Sequence, residues 1–131
     1  MQALQEVHST ASWLLHHPFS AEDQAAMGAI TNFTRALALE YGSRGVRINA
    51  VAPSLTSSEA TADLEKSTAV MTAFVDRLPI GRAATPAEIA GVIAFLASED
   101  AIFVNGVVLP VDGGISASNG QPNFLSLLGQ S

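Results

Sequence analysis

Apolar residues recur at Met27, Ile30, Phe33, Leu37 and Tyr41. A three-to-four spacing puts them on one stripe of a helix, which predicts a helix over residues 22–41. Ser20, Glu22 and Asp23 place polar or negative groups at its start, where the helix dipole favours them. Gly42 is placed to stop it in the left-handed conformation. From Val46 to Ala52 the pattern changes to alternation running into a short apolar stretch, a strand that Pro53 ends. Residues 57–77 fit one or two helices. Thr85-Pro86-Ala87-Glu88 then carries an N-cap threonine, a proline at the first helical position and a glutamate at the third. Ile89, Val92, Ile93 and Leu96 give the helix that follows its buried face. Gly106–Val111 reads as a strand and Asp112-Gly113-Gly114 as a turn.

The two ends of the chain are less patterned. Leu4 and Val7 suit a short strand, yet Leu4, Val7, Ala11, Leu14 and Leu15 also fit a helical stripe, and periodicity does not decide between them. Pro18 ends either element. After a polar stretch at 116–120, Phe124, Leu125, Leu127 and Leu128 offer a last apolar anchor. The order helix, strand, helix, strand, with connections long enough for parallel crossovers, indicates an α/β domain over residues 1–131.

Composition narrows the function. With 48% hydrophobic residues in 131, the chain has enough apolar side chains for one core. A net charge of −6, with Lys66 the single lysine and the arginines scattered, argues against nucleic acid as a partner. No apolar run approaches a membrane span, and residues 1–6 lack the cationic start of a signal peptide, so a cytoplasmic location is expected. Without cysteine there is neither a disulfide nor a thiolate metal site. His16 and His17 are adjacent, and adjacent side chains rarely converge on one ion, so no metal is expected.

Five segments in order resemble the carboxyl-terminal half of the short-chain dehydrogenase/reductase family. They are the helix at 23–42, Arg44-Gly45-Val46-Arg47-Ile48-Asn49-Ala50-Val51-Ala52-Pro53, Leu78-Pro79-Ile80-Gly81-Arg82 with Thr85–Ala90, Phe95-Leu96-Ala97-Ser98, and Gly106–Gly114. The resemblance implies a truncated Rossmann-like, three-layer fragment with about three parallel strands and flanking helices. In that family the helix opens Tyr-x-x-x-Lys, and the pair handles the proton on the substrate oxygen and holds the nicotinamide ribose. Asp23 and Met27 stand at those positions. Ser9 or Ser12 matches the family's serine, and Ser9, after Val7-His8, fits the strand-end position better. The family's Pro-Gly start of the next loop reads Pro53-Ser54 here, and no Gly-rich dinucleotide fingerprint occurs in the chain.

An exposed aspartate is ionised at pH 7, and methionine offers neither a charge nor a donor. These replacements lead to the expectation of a degenerate family member, unable to transfer hydride and without a cofactor, acting as a homo-oligomeric binding or structural protein. The missing half would leave an edge strand and apolar faces uncovered, which favours self-association. One alternative is a cofactor-independent hydrolase of ester or lactone type, using Ser9, His16 or His17, and Asp23 as nucleophile, base and orienter. A second alternative is an NAD(P)-dependent oxidoreductase, by family analogy. A small-molecule ligand is compatible with each, and a gene fragment would give the same sequence pattern.

Overall fold

A computed structural model describes residues 5–9, 21–117 and 128–129 of the chain. Strand β1 (Gln5–Ser9) is followed by helix α1 (Ala21–Gly42) and strand β2 (Arg47–Pro53). Short helices α2 (Ala62–Lys66) and α3 (Thr68–Val75) lead to α4 (Pro86–Ala97) and strand β3 (Val108–Val111). The sheet is parallel throughout, in the order β1-β2-β3. Gln5 pairs with Arg47 and Ser9 with Val51; Ala50 pairs with Val108 and Pro53 with Val111. This is the expected α/β, Rossmann-like arrangement of three parallel strands and flanking helices. The expected apolar anchor at Phe124, Leu125 and Leu127 lies outside the described residues.

The central strand is buried along its length. Arg47, Ile48, Asn49, Ala50, Val51 and Pro53 are all shielded, and only Ala52 is partly open. Alternation along a strand sends successive side chains to opposite faces. Val51 joins Ile89 and Leu96 of α4 in the core, with Val92, Ile93, Val104, Val107, Leu109 and Val111 packed around them. Ile48 and Ala50 point to the other face, where α1 packs on β2. The face expected for α4 is therefore the one it buries.

For α1 the apolar stripe is corrected. Phe33, expected inside, is 61% exposed, while Thr34 and Ala38 are the buried positions. Small side chains let the helix approach the sheet closely: a Cβ on Gly106 would lie 3.2 Å from that of Ala38. Thr34 satisfies its own hydroxyl by donating to the Ile30 carbonyl at 2.8 Å. Gly42 is not the left-handed stop either. The positive φ falls on Gly45, at 76°, after the turn in which Gly45 N–H donates to the Gly42 carbonyl. Gly42 serves close approach instead, since a Cβ there would meet Asn105 Nδ2 at 3.3 Å.

Three polar side chains tie β2 to its surroundings. Arg47 donates to the carbonyls of Leu96 (2.8 Å), Ser98 (3.2 Å) and Val104 (3.1 Å), placing a cation at the carboxyl end of α4 where the dipole favours it. Asn49 donates to the Val104 carbonyl and accepts from the Val107 N–H, at 3.0 Å each. Asn105 accepts from the Ile48 N–H at 2.8 Å and donates to the Ala38 carbonyl at 3.1 Å, linking β2 to α1. Buried carbonyls stripped of a charged partner are costly. Replacing Arg47 with methionine should therefore lower stability by about 2–4 kcal/mol. A denaturant midpoint within error of the wild type would refute this.

Candidate active site at the carboxyl edge of the sheet

In open parallel sheets, ligands bind outside the carboxyl ends of the strands, where the connecting loops converge. Here that edge carries Ser9 at the end of β1, Pro53-Ser54 at the end of β2 and Val111-Asp112 at the end of β3. Helix α1 is about 33 Å long at 1.5 Å per residue. It ends only a few residues before β2 begins, so its first turn lies toward the same edge.

A cavity of about 280 Å³ opens beside the ends of β2 and β3. Ser54, Asp112 and Gly113 line it on the strand side, with Leu78, Arg82 and Glu88 opposite. Its wall is made of three loops held to one another. Ser54 Oγ donates to the Asp112 carbonyl at 3.0 Å. The Ile80 N–H donates to the Gly113 carbonyl at 3.2 Å. The Ala84 N–H donates to the Leu55 carbonyl at 2.9 Å, and the Ser57 N–H to the Ala84 carbonyl at 2.8 Å. Gly113, at φ 66°, lies so close to Leu78 that an added Cβ would come within 2.8 Å of its Cδ2.

Two carboxylates at this edge are held ionised. Glu88 receives both guanidinium nitrogens of Arg82, at 2.6 and 2.9 Å, and the N–H and hydroxyl of Thr85 at 2.8 and 3.0 Å. The Arg82 hydrogen bonds, then those from Thr85, bring its carboxyl down to about 2. For Asp112, burial opposes ionisation. Hydrogen bonds from Ser116 and from the Gly114 N–H outweigh it and hold the carboxyl below its ordinary value. Both groups are thus committed to local structure and poorly suited to exchange protons near neutrality.

Ser9 is the last residue of β1, and Asp23 is the third of α1. Met27, four residues on, is half-buried. His16 and His17 lie outside the described residues. The structure thus brings the backbone of Ser9 and the start of α1 to one edge, next to the loop after β2. Among the described residues no group of three or more histidine, aspartate or glutamate side chains could hold a metal ion, and no helix is long and apolar enough to cross a membrane. Sequence reasoning placed Glu88 in a capping box but missed its pairing with Arg82. It also missed the Ser54–Asp112 contact, which joins residues 58 positions apart and has no local signal.

Residues 14–116 match the family model described as enoyl-(acyl carrier protein) reductase. The chain is 50% identical over 101 residues to meso-2,3-butanediol dehydrogenase of Serratia marcescens, a match spanning 77% of this chain and 39% of that protein. Among solved structures, a 4-hydroxyisoleucine dehydrogenase mutant complexed with NADH and succinate superposes with a TM-score of 0.80 at 26% identity, over 88% of this chain and 48% of the other. Gluconate 5-dehydrogenase from Burkholderia cenocepacia, in complex with NADP and tartrate, gives 0.78 at 28% identity, over 88% and 46%. The chain therefore spans less than half the length of these relatives.

These relatives correct the functional expectation. They are named dehydrogenases, so they point away from a structural protein outside redox chemistry and from a hydrolase built on Ser9, His16 or His17, and Asp23, and toward the oxidoreductase alternative.

The Arg82–Glu88 pair sets a pH dependence. A carboxyl held near 2 in the fold, against an ordinary value of 4.5, stabilises the folded state at pH above 4.5 and loses that contribution as pH falls toward 2. Unfolding midpoints measured across this window should fall with pH in the wild type. They should fall less steeply in Glu88→Gln; parallel curves would discount the pair.

Proposed function

Since this chain belongs to the short-chain dehydrogenase/reductase family, we propose that it forms the substrate-facing, carboxyl-terminal part of an NAD(P)-dependent oxidoreductase. Its substrate class on this reading is a small polar molecule bearing a secondary alcohol, or the matching ketone. The observation that carries the reading is the 50% identity over 101 residues to a butanediol dehydrogenase. The carboxyl-edge geometry supports it, with the exit loop of β2 fastened beside a cavity of suitable scale.

The residues present fit one end of a dinucleotide. Pro53–Ser58, at the carboxyl end of β2, would face the nicotinamide. A pyrophosphate cradle needs glycines that let the backbone approach the phosphates. None of the 131 residues forms that fingerprint, so on this reading that side of the pocket is supplied by the further length that the relatives have. A bound NAD(P) would supply hydride acceptance and donation.

Asp23 and Met27 stand, on this reading, at the positions of the family's tyrosine and lysine. An ionised carboxylate can take a proton from an alcohol, whereas it cannot donate one to a ketone. Met27 brings no charge and no donor to the ribose. The replacement changes the proton relay and slows the reaction without changing its class.

A homo-oligomer accompanies this reading. Phe33 and Leu39 of α1 are 61% and 86% exposed, and Phe103, beyond α4, is fully exposed. Apolar groups of this size in water favour a partner surface, here a second copy.

Two measurements test these readings. A chimera carrying residues 14–116 in place of the matching segment of the Serratia enzyme should oxidise meso-2,3-butanediol with NAD at roughly 10²–10⁴-fold below the parent rate, the share an acid–base group supplies. Asp23→Tyr with Met27→Lys should recover most of that loss, and a folded chimera inactive in both forms overturns the reading. Sedimentation of the full chain at micromolar concentration should give a dimer or larger species, reduced by Phe33→Glu; a monomeric wild type removes the oligomer.

A further inference from the structure

Around the cavity, the three loops are tied in a closed ring. The segment 78–84 is bound to the exit of β3 through Ile80 N–H and the Gly113 carbonyl, and to the exit of β2 through Ala84 with Leu55 and Ser57. Both of those ties are backbone hydrogen bonds, indifferent to side-chain identity. On the third side β2 and β3 are paired as far as Pro53 and Val111, and Ser54 Oγ carries the tie one residue further into the exit loops, donating to the Asp112 carbonyl at 3.0 Å. Thr56 adds a local brace by donating from Oγ1 to the Ser54 carbonyl at 3.1 Å. The acceptor is itself anchored, because the Asp112 carboxylate receives the Gly114 and Ser116 N–H groups at 2.9 and 3.0 Å. A glycine at position 54, as in the Pro-Gly pattern this chain departs from, has no hydroxyl and would end the tie on that side at the Pro53–Val111 pair.

We propose that Ser54 is a positioning residue, whose hydroxyl extends the β2–β3 tie into the exit loops and fixes the conformation of Pro53–Ser58. The proposal rests on the oxidoreductase reading for what that loop faces, and on geometry alone for the ring. Held in place, the loop presents its backbone groups without first being ordered, so the ordering cost is removed from binding. Its hydroxyl is engaged by the Asp112 carbonyl, so its effect is exerted through the loop.

Amide exchange and nucleotide affinity separate the two parts. In the full chain, Ser54→Ala and Ser54→Gly should speed exchange at the Ser57 and Ile80 amides about fivefold, the effect of losing one hydrogen bond in a local opening. Ser54→Thr, which keeps the hydroxyl, should restore the slow rates. Reduced nicotinamide mononucleotide, which carries only the nicotinamide end, should bind the alanine variant about fivefold more weakly than the wild type or the threonine variant. Unchanged exchange in both alanine and glycine variants overturns the ring. Faster exchange with unchanged mononucleotide affinity overturns the positioning role. A wild type that shows the exchange effect but binds no mononucleotide overturns the assignment of the loop to nicotinamide, and with it the premise taken from the proposed function.

Discussion

Burial of β2 on both faces is the constraint on which the other elements depend. A parallel strand between two neighbours has its backbone groups paired, and its side chains must be covered above and below. Helix α4 covers one face through Val51, Ile89 and Leu96, and α1 lies on the other through small residues. The polar side chains on this strand belong to the same solution. Arg47 and Asn49 are buried, so each must be satisfied. Their partners are carbonyl and N–H groups at the end of α4 and along the approach to β3. The same contacts that meet the hydrogen-bonding demand also set where α4 stops and where β3 enters the sheet.

That placement produces the candidate site. With β2 and β3 in register from Ala50–Val108 to Pro53–Val111, both strands end at the same level, and Ser54 and Asp112 leave the sheet side by side. The segment 78–84 crosses above them because α4 begins there, its first turn capped by Thr85 and Glu88. The cavity is thus a consequence of strand register and helix entry, and its carboxylates are engaged in holding that geometry.

Elements whose signals are local were legible in the sequence. Thr85-Pro86-Ala87-Glu88 marks a helix start within four residues, and both halves of its capping box form. The strand nature of 46–52 follows from its apolar run before Pro53, although Pro53 proves to be the last paired residue. Features decided by packing were not legible. Periodicity put Phe33 inside because it counts apolar residues, while the sheet selected Thr34 and Ala38 because the helix has to come close. Gly42 and Gly45 look alike as letters, and one serves a close approach while the other supplies the positive φ. The Ser54–Asp112 tie depends on strand register, which no local pattern encodes.

The functional misreading has a physical origin of the same kind. The buried positions of α1 are Thr34 and Ala38, well along the helix from Asp23, and Met27 is only half-buried. A fold anchored through Thr34, Ala38 and Gly106 has little reason to register a change in the first turns of α1. The buried contacts described on this helix lie in its later turns, so its first turns can vary while the stretch that carries the fold stays similar to the relatives. The carboxyl edge around the cavity is built by β2, β3 and the start of α4, none of which contains residues 23 or 27.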